Sequence, residues 1–234
     1  QTLVWLVISN GIIAFILWII PLIDPSANVN LDGSGVRELT RVFLQLETLF
    51  ASLGVMVLCQ GLIVNEKKLG TASWVLSNPV SRSSFIFSKL VGHGWAIFTI
   101  LILVQSLVVY LQLVLKGGAY FNPVPFITAT GVLCLLLLFY LVLALMLGTL
   151  FNSTGPVIGI SIAVGIGMSI LPQFLGTLVP WLIAILPGRL GDVALAIGAE
   201  LPLPADWYFP LVSTGVLIVI FIAVAIVRLG REEF

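Results

Sequence analysis

Residues 126–151 read FITATGVLCLLLLFYLVLALMLGTLF, without one charged side chain, and comparable apolar runs recur along the chain. A helix rises about 1.5 Å per residue, so such a run matches the roughly 30 Å hydrocarbon core of a bilayer. Further runs cover about residues 3–23, 42–64, 157–171 and 209–227, with another inside 85–115. The pattern predicts an all-α polytopic membrane protein of six transmembrane helices, forming a single transmembrane domain over residues 1–234. Composition agrees, because a chain that is 60% hydrophobic and 9% charged carries more apolar surface than one soluble core can hide.

The segment 174–186, FLGTLVPWLIAIL, is shorter than a span, carries Pro180 and lies between Pro172 and Pro187. It predicts a re-entrant or interfacial segment before the last helix, inside an outer region at about 172–208. The run within 85–115 has the opposite problem: some 30 helical residues measure about 45 Å against a core of about 30 Å. Its first turns, around 85–89, are therefore expected to project into the cytoplasm. Lys67, Lys68, Arg82 and Lys89 sit on the link after the second run and Arg228 and Arg231 on the tail, against Arg37, Arg41, Lys116 and Arg189 on the other face. This excess predicts that the link and both termini are cytoplasmic in a multi-pass protein of the inner or plasma membrane. Gln1 leads straight into an apolar run without a basic segment or an initiator Met, which is not a signal-peptide pattern and predicts further sequence ahead of it. A formal net charge of zero offers no basic stripe for nucleic acid. Cys59 and Cys134 stand alone in apolar surroundings and are expected as small packed or lipid-facing residues.

The link itself, residues 65–85, reads NEKKLGTASWVLSNPVSRSSF. Gly70 can end the preceding helix in a left-handed cap, and Thr71 can accept a hydrogen bond from the first free amides of a new one. Pro79 then excludes continuation, and Ser81 can cap the next span. The product is a helix of about two turns at 72–77, with Leu69, Ala72 and Leu76 on one face and Lys67, Thr71 and Trp74 on another. Such an element is either an ordinary interfacial turn with Trp74 at headgroup level or a docking element for a cytoplasmic partner.

The succession of Glu66, then Gly70 and Thr71, then Leu76, Pro79, Ser81 and Arg82, and finally Lys89 before Val91 and Gly92, resembles a stretch of ABC-2 type transporter permeases. It departs from them at Ser88, where Gly is common, and the amphipathic helix expected ahead of the first span is not in this sequence. The resemblance is strong over about 30 residues and extends loosely over the chain through the six-span layout. It implies a permease subunit whose link is a coupling helix, about 66–82, seated in a groove of a separate ATPase subunit. Glu66 and Arg82 would be the charged flanks of that element, and Thr71, Trp74 and Leu76 its contact surface; Glu66 and Arg82 are otherwise solvated helix ends. It also implies a second permease copy, as homodimer or related chain, around a route lined by second and fifth spans. ATP and Mg would reside on the partner, with no cofactor in this chain, and the function implied is export of an unidentified substrate. The run Val91–Gly92–His93–Gly94 is weakly similar to permeases of copper-supply systems for nitrous-oxide reductase maturation, although a lone His makes a poor metal site.

The sequence contains no G-x-x-x-x-G-K-[ST] phosphate loop, so any ATP-derived energy must come from another polypeptide. Nor does it show a carboxylate pair, His cluster or Ser/Lys constellation, and the chain is read as not an enzyme, with no catalytic or metal-ligating residues. Gly155, Gly159, Ala163 and Gly167 recur every fourth residue and form a smooth helix-packing stripe, used either within one subunit or at a dimer seam. Polar residues in spans are costly and mark candidate pathway positions, here Glu47 and, more weakly, Gln60. Glu47 is expected either at the mouth of a cleft or, alternatively, snorkelling to the interface or paired with Arg41 or Arg37. A different class stays open beside the exporter: a non-transporting membrane assembly or anchor subunit of a larger complex, surrounded like the permease by lipid.

Overall fold

The computed structural model describes residues 10–12, 14–15, 18, 33–77, 81–117, 121–176 and 178–231, and within them the chain is helical with no strand. The first expected span, 3–23, lies for the most part outside these residues. The helices are α1 (Gly33–Cys59), α2 (Val64–Lys68), α3 (Thr71–Leu76), α4 (Arg82–Ile97), α5 (Val104–Gly117), α6 (Pro123–Leu150), α7 (Thr154–Leu175), α8 (Pro180–Ala184), α9 (Arg189–Gly198) and α10 (Phe209–Gly230). Among the described residues five helical stretches are long and apolar enough to cross a membrane: Gly35–Lys68, Arg82–Leu115, Pro123–Leu150, Thr154–Leu175 and Phe209–Arg231.

The 174–186 segment does not form a helix of its own. Phe174 still belongs to α7, and only the five residues of α8 follow before α9 begins. At 1.5 Å per residue α8 measures about 7.5 Å and the ten-residue α9 about 15 Å, so neither crosses a core of about 30 Å.

α6 is apolar on every side, and it is accordingly the central helix. α1, α7, α9 and α10 all pack against it, and Leu133, Leu136, Phe139 and Val142 are among its buried side chains. Asn122 starts α6 by accepting a hydrogen bond from the Val124 amide at 3.2 Å, with Pro123 as first helical residue. Four aromatic rings lock α1, α5 and α6 together near that start: Phe43 stacks on Phe126 at 5.7 Å, and Phe121 meets Tyr110 at 5.4 Å and Phe126 at 5.7 Å.

α4 and α5 form one rod interrupted by a π-helical stretch, Phe98–Leu103. A wide turn of this kind inserts an extra residue into the helix and is frequent at functional sites. Sequence periodicity gave no sign of it. Leu101 of this stretch packs against Gly54 of α1, where an added Cβ would lie 3.3 Å from the Leu101 side chain.

α9 is held by the absence of side chains. Gly191, Ala194 and Gly198 fall on one face at i, i+3 and i+7, and all three are buried. A Cβ on Gly191 would meet the Thr48 methyl at 2.9 Å, and one on Gly198 would collide with Leu44 and lie 3.1 Å from Ala129. The helix ends in a left-handed residue, Glu200, with φ of 54°. The Leu201 amide donates to the Ala196 carbonyl at 2.8 Å and the Glu200 amide to the Ile197 carbonyl at 3.1 Å, which is the Schellman pattern.

Candidate functional site

The link is organised at one end of the helix bundle. Gly70 has a φ of 71°, as its expected capping role requires. Thr71 differs from the expectation: its hydroxyl donates to the Glu66 carbonyl at 3.2 Å, closing the end of α2, and it is the first residue of α3. The first i→i−4 bond of α3 runs from the Trp74 amide to the Gly70 carbonyl at 3.0 Å. Ser81 caps α4 as expected, accepting from the Ser84 amide at 3.1 Å. Pro79 lies outside the described residues.

Glu66 and Arg82 do not stand as exposed flanks. The Glu66 carboxylate accepts a charge-assisted bond from Lys89 of α4, and the Arg82 guanidinium donates to the carbonyl of Gly230 at the end of α10. Lys67 donates to the Thr149 carbonyl at the end of α6, at 2.9 Å. These three contacts tie α2, α4, α6 and α10 into one clamp, each cation either neutralising the link acid or capping carbonyls at a helix C-terminus. His93, which sits one turn beyond Lys89, bonds the Lys89 carbonyl through Nδ1 at 3.1 Å.

α3 rides on this clamp. Val75 packs against a buried cluster of Ile63, Phe85, Ile86, Leu145, Ala225 and Leu229. Trp74, the residue before Val75, is 72% exposed, and Leu69, ahead of α3, is 77% exposed. The side chain of Leu76, the last residue of α3, lies outside the described residues. Val75 was not singled out by its spacing, because which side of so short a helix is anchored depends on α4, α6 and α10.

A cleft of about 520 Å³ opens at the other end of the bundle, between α1, α6, α7 and α9. Leu49, Leu53 and Met56 of α1 face Ile162 and Ile166 of α7 across it. Its polar mouth is formed by Gln45, Arg189 and Asp192, with Arg189 and Asp192 paired at 3.2 Å. Partial burial pushes the Asp192 carboxyl, whose side chain stays 56% exposed, above its ordinary value, and the Arg189 guanidinium offsets part of that shift. Ser52 lines the wall; it is 7% exposed and its hydroxyl has no hydrogen-bond partner among the described residues.

Of the expected pathway residues, neither Glu47 nor Gln60 lines this cleft. Glu47 is 1% exposed, on the α1 face that carries Phe43 and Ala51 into the core, and neither carboxylate oxygen has a hydrogen-bond partner among the described residues. The arginines considered as its partners are engaged elsewhere, Arg37 with Glu200 and Arg41 with Glu38, each at 3.6 Å. Gln60 is half-buried in the turn after α1. The cleft-lining polar residues were harder to find in sequence, since Ser52 and Thr48 resemble any small polar residue in a span.

The Gly155, Gly159, Ala163 and Gly167 stripe is not where α7 meets the described helices. No described atom lies within 4 Å of a Cβ built on Gly155, Gly159 or Gly167, and Ala163 is exposed. The close approach falls on Gly165, whose Cβ would meet Met56 at 2.8 Å and the Tyr140 hydroxyl at 3.5 Å. Among the described residues no group of three or more His, Cys, Asp or Glu side chains is assembled for a metal ion.

No curated protein matches this chain. Residues 6–234 match a family described as "Protein of unknown function (DUF2705)", nearly the whole sequence, and the chain belongs to that family.

Proposed function

We propose that this chain is the transmembrane permease subunit of an ABC-2 type exporter, coupling ATP hydrolysis on a separate ATPase subunit to the export of a substrate. The observation that carries the reading is a short helix, α3, anchored by Val75 on a clamp of helix ends while it presents Trp74 and Leu69 outward. Trp is among the residues enriched at interface hot spots. In this reading the link end is cytoplasmic, residues 3–23 supply a sixth span, α8 and α9 form the outer re-entrant or interfacial region, and two copies work together.

The clamp gives the mechanism its lever. A push on α3 from a closing ATPase is carried by the Glu66–Lys89, Lys67–Thr149 and Arg82–Gly230 contacts into α2, α4, α6 and α10 together. α7 is much less embedded than α6, so movement of the clamped helices changes the cleft between α1 and α7. Glu66 and Arg82 thus serve transmission, and the contact surface is Trp74 with Leu69.

The test is co-purification of the full chain with a soluble ATPase, followed by Trp74→Asp and Leu69→Asp together. Loss of the ATPase with an unchanged elution profile of the membrane chain supports docking through α3. Retention by the double variant refutes it. Capture of an ATPase whose turnover ignores this chain shifts the assignment to an anchor subunit.

A further inference from the structure

We propose that Glu47 is a proton-operated latch on α1. While its carboxyl carries a proton, α1 stays packed against α5 and α6; when the proton leaves to water, that seam opens. The cleft on the far side of α1 changes with it, and only the use of that change in export rests on the permease reading.

Position comes first. Glu47 lies about 18 Å into the apolar stretch Gly35–Lys68 and about 31 Å from its other end, so neither end brings it to water. At about 100° per residue, its side of the helix is turned about 150° from the side formed by Gln45, Thr48, Leu49 and Ser52 along the cleft. Two close contacts bracket it on its own side. Phe43, one turn earlier, stacks on Phe126 of α6 at 5.7 Å. Gly54, two turns later, meets the π-helical stretch, where an added Cβ would lie 3.3 Å from Leu101. Between them Glu47 is 1% exposed, and neither carboxylate oxygen has a hydrogen-bond partner among the described residues.

Charge comes second. On α1, Arg37 and Arg41 are engaged by Glu200 and Glu38. On α6, Cys134 lies within electrostatic reach of Glu47, and Tyr140 lines the cleft instead. α5 offers Tyr110, held among the rings of Phe121 and Phe126, and carries Lys116 near its end. α9 offers Arg189 and Asp192, which pair with each other. The π-helical stretch and α7 have no titratable side chain, and neither has the expected span at 3–23. Among the described residues no cation is placed against Glu47, and an unpaired buried carboxyl takes up a proton instead of holding its charge.

Third is what an acid adds. A neutral acid whose oxygens stay unsatisfied serves this seam no better than an apolar side chain of the same shape. Only an acid has a second, charged state, and the closed seam holds neither a counter-charge nor a hydrogen-bond donor for it. Ionisation therefore requires α1 to part from α5 and α6, which is why an ionisable residue inside a span marks a functional position.

The experiment uses the full chain in phosphatidylcholine nanodiscs, with Glu47→Gln and Glu47→Leu as references that hold no titratable proton; either serves if the other fails to fold. Infrared difference spectra at neutral pH are expected to show the carbonyl stretch of a neutral carboxylic acid that the variants lack. Hydrogen exchange read by mass spectrometry then reports the seam. Once in water the carboxyl ionises above about pH 4.3, whereas the packed one keeps its proton, so opening becomes about tenfold more favourable per pH unit. Exchange over residues 43–54, divided by that of a variant at the same pH, should rise about hundredfold from about pH 5.5 to about pH 7.5. Chemical exchange changes equally in both proteins and cancels. α10, which packs on α6 and α4, is the control, and its ratio should stay flat.

Absence of the neutral-acid band shows an ionised Glu47 and overturns the proposal. A band with a flat ratio over 43–54 leaves a packed acid that switches nothing, which overturns it too. So does a ratio that climbs equally in α10, since that is a loss of global stability. The permease reading stands or falls separately, on capture of the ATPase, which none of these results touches.

Discussion

Replacing Gly191 by alanine adds one methyl group to α9 at the point where it crosses α1. An ideal Cβ there lies 2.9 Å from the Thr48 methyl, closer than such contacts allow, so one partner must move. Thr48 is poorly placed to do so. It is β-branched, and its hydroxyl is fixed to the Leu44 carbonyl at 2.7 Å, so rotating the methyl away breaks that bond. Overpacking of this kind costs about 1–3 kcal/mol, and the better helix propensity of alanine returns at most about 1 kcal/mol. The net expectation is a loss of about 1–2 kcal/mol, a fall in melting temperature of a few degrees for a chain of this size. The same change at Gly159, where no described atom lies within 4 Å of the new Cβ, gains propensity without a clash and should be neutral or stabilising. Thermal unfolding in detergent is read with a thiol-reactive fluorogenic dye, because Cys59 and Cys134 are free and Cys59 is buried until the bundle opens. Thr48→Ser keeps the hydroxyl and removes the offending methyl, so Gly191→Ala with Thr48→Ser should recover most of the loss. If Gly191→Ala is as stable as the parent, or if Thr48→Ser gives no recovery, the close approach of α9 to α1 is not what holds that helix.

Asp192 supplies a pH-dependent expectation. Its carboxyl titrates above its unfolded value because of burial, so the folded state holds the proton more tightly than the unfolded one. The penalty is absent below the unfolded value, about 3.9, and grows as pH rises through the raised folded value. Stability should therefore fall over that window relative to Asp192→Asn; a difference between the two proteins that is flat across the window refutes the burial argument. At the left-handed Glu200, Glu200→Gly and Glu200→Ala both remove the contacts to Arg37 and Asn122, but only glycine relieves the backbone. The glycine variant should be more stable than the alanine variant by about 1 kcal/mol in chemical denaturation, and equality of the two argues against a strained cap.

The membrane-spanning helices were legible because each is written locally, as an apolar run of sufficient length bounded by residues such as Asn122–Pro123 and Ser81. Gly70 was legible for the same reason, since a left-handed turn after a short helix needs no distant partner. What sequence could not give was which side of each helix meets another. The four-residue spacing of the α7 stripe is conspicuous, yet the packed glycine is Gly165, selected by Met56 and Tyr140 from two other helices. Glu66 and Arg82 were recognised as important positions while their partners, Lys89 and the Gly230 carbonyl, lie 23 and 148 residues away. The cleft is the extreme case, because its lining is drawn from four helices and none of its residues is unusual alone.

The wide turn at Phe98–Leu103 sets the angular phase of everything after it. One residue of α-helix corresponds to about 100° of rotation, so the extra residue decides which sides of α5 look inward. With it, Leu101, Gln105 and Val109 are buried and Leu103, Leu107 and Leu111 are exposed. Were the turn to relax to ordinary α-helix, the half of the rod beyond it would have to swivel by about that angle or break its seam with α1. Val104 and Val108, now on the exposed side, would turn into the places that Gln105 and Val109 hold. The turn is thus a rotary register mark within a single rod, fixing two halves of one helix in orientations that a continuous spiral could not satisfy together.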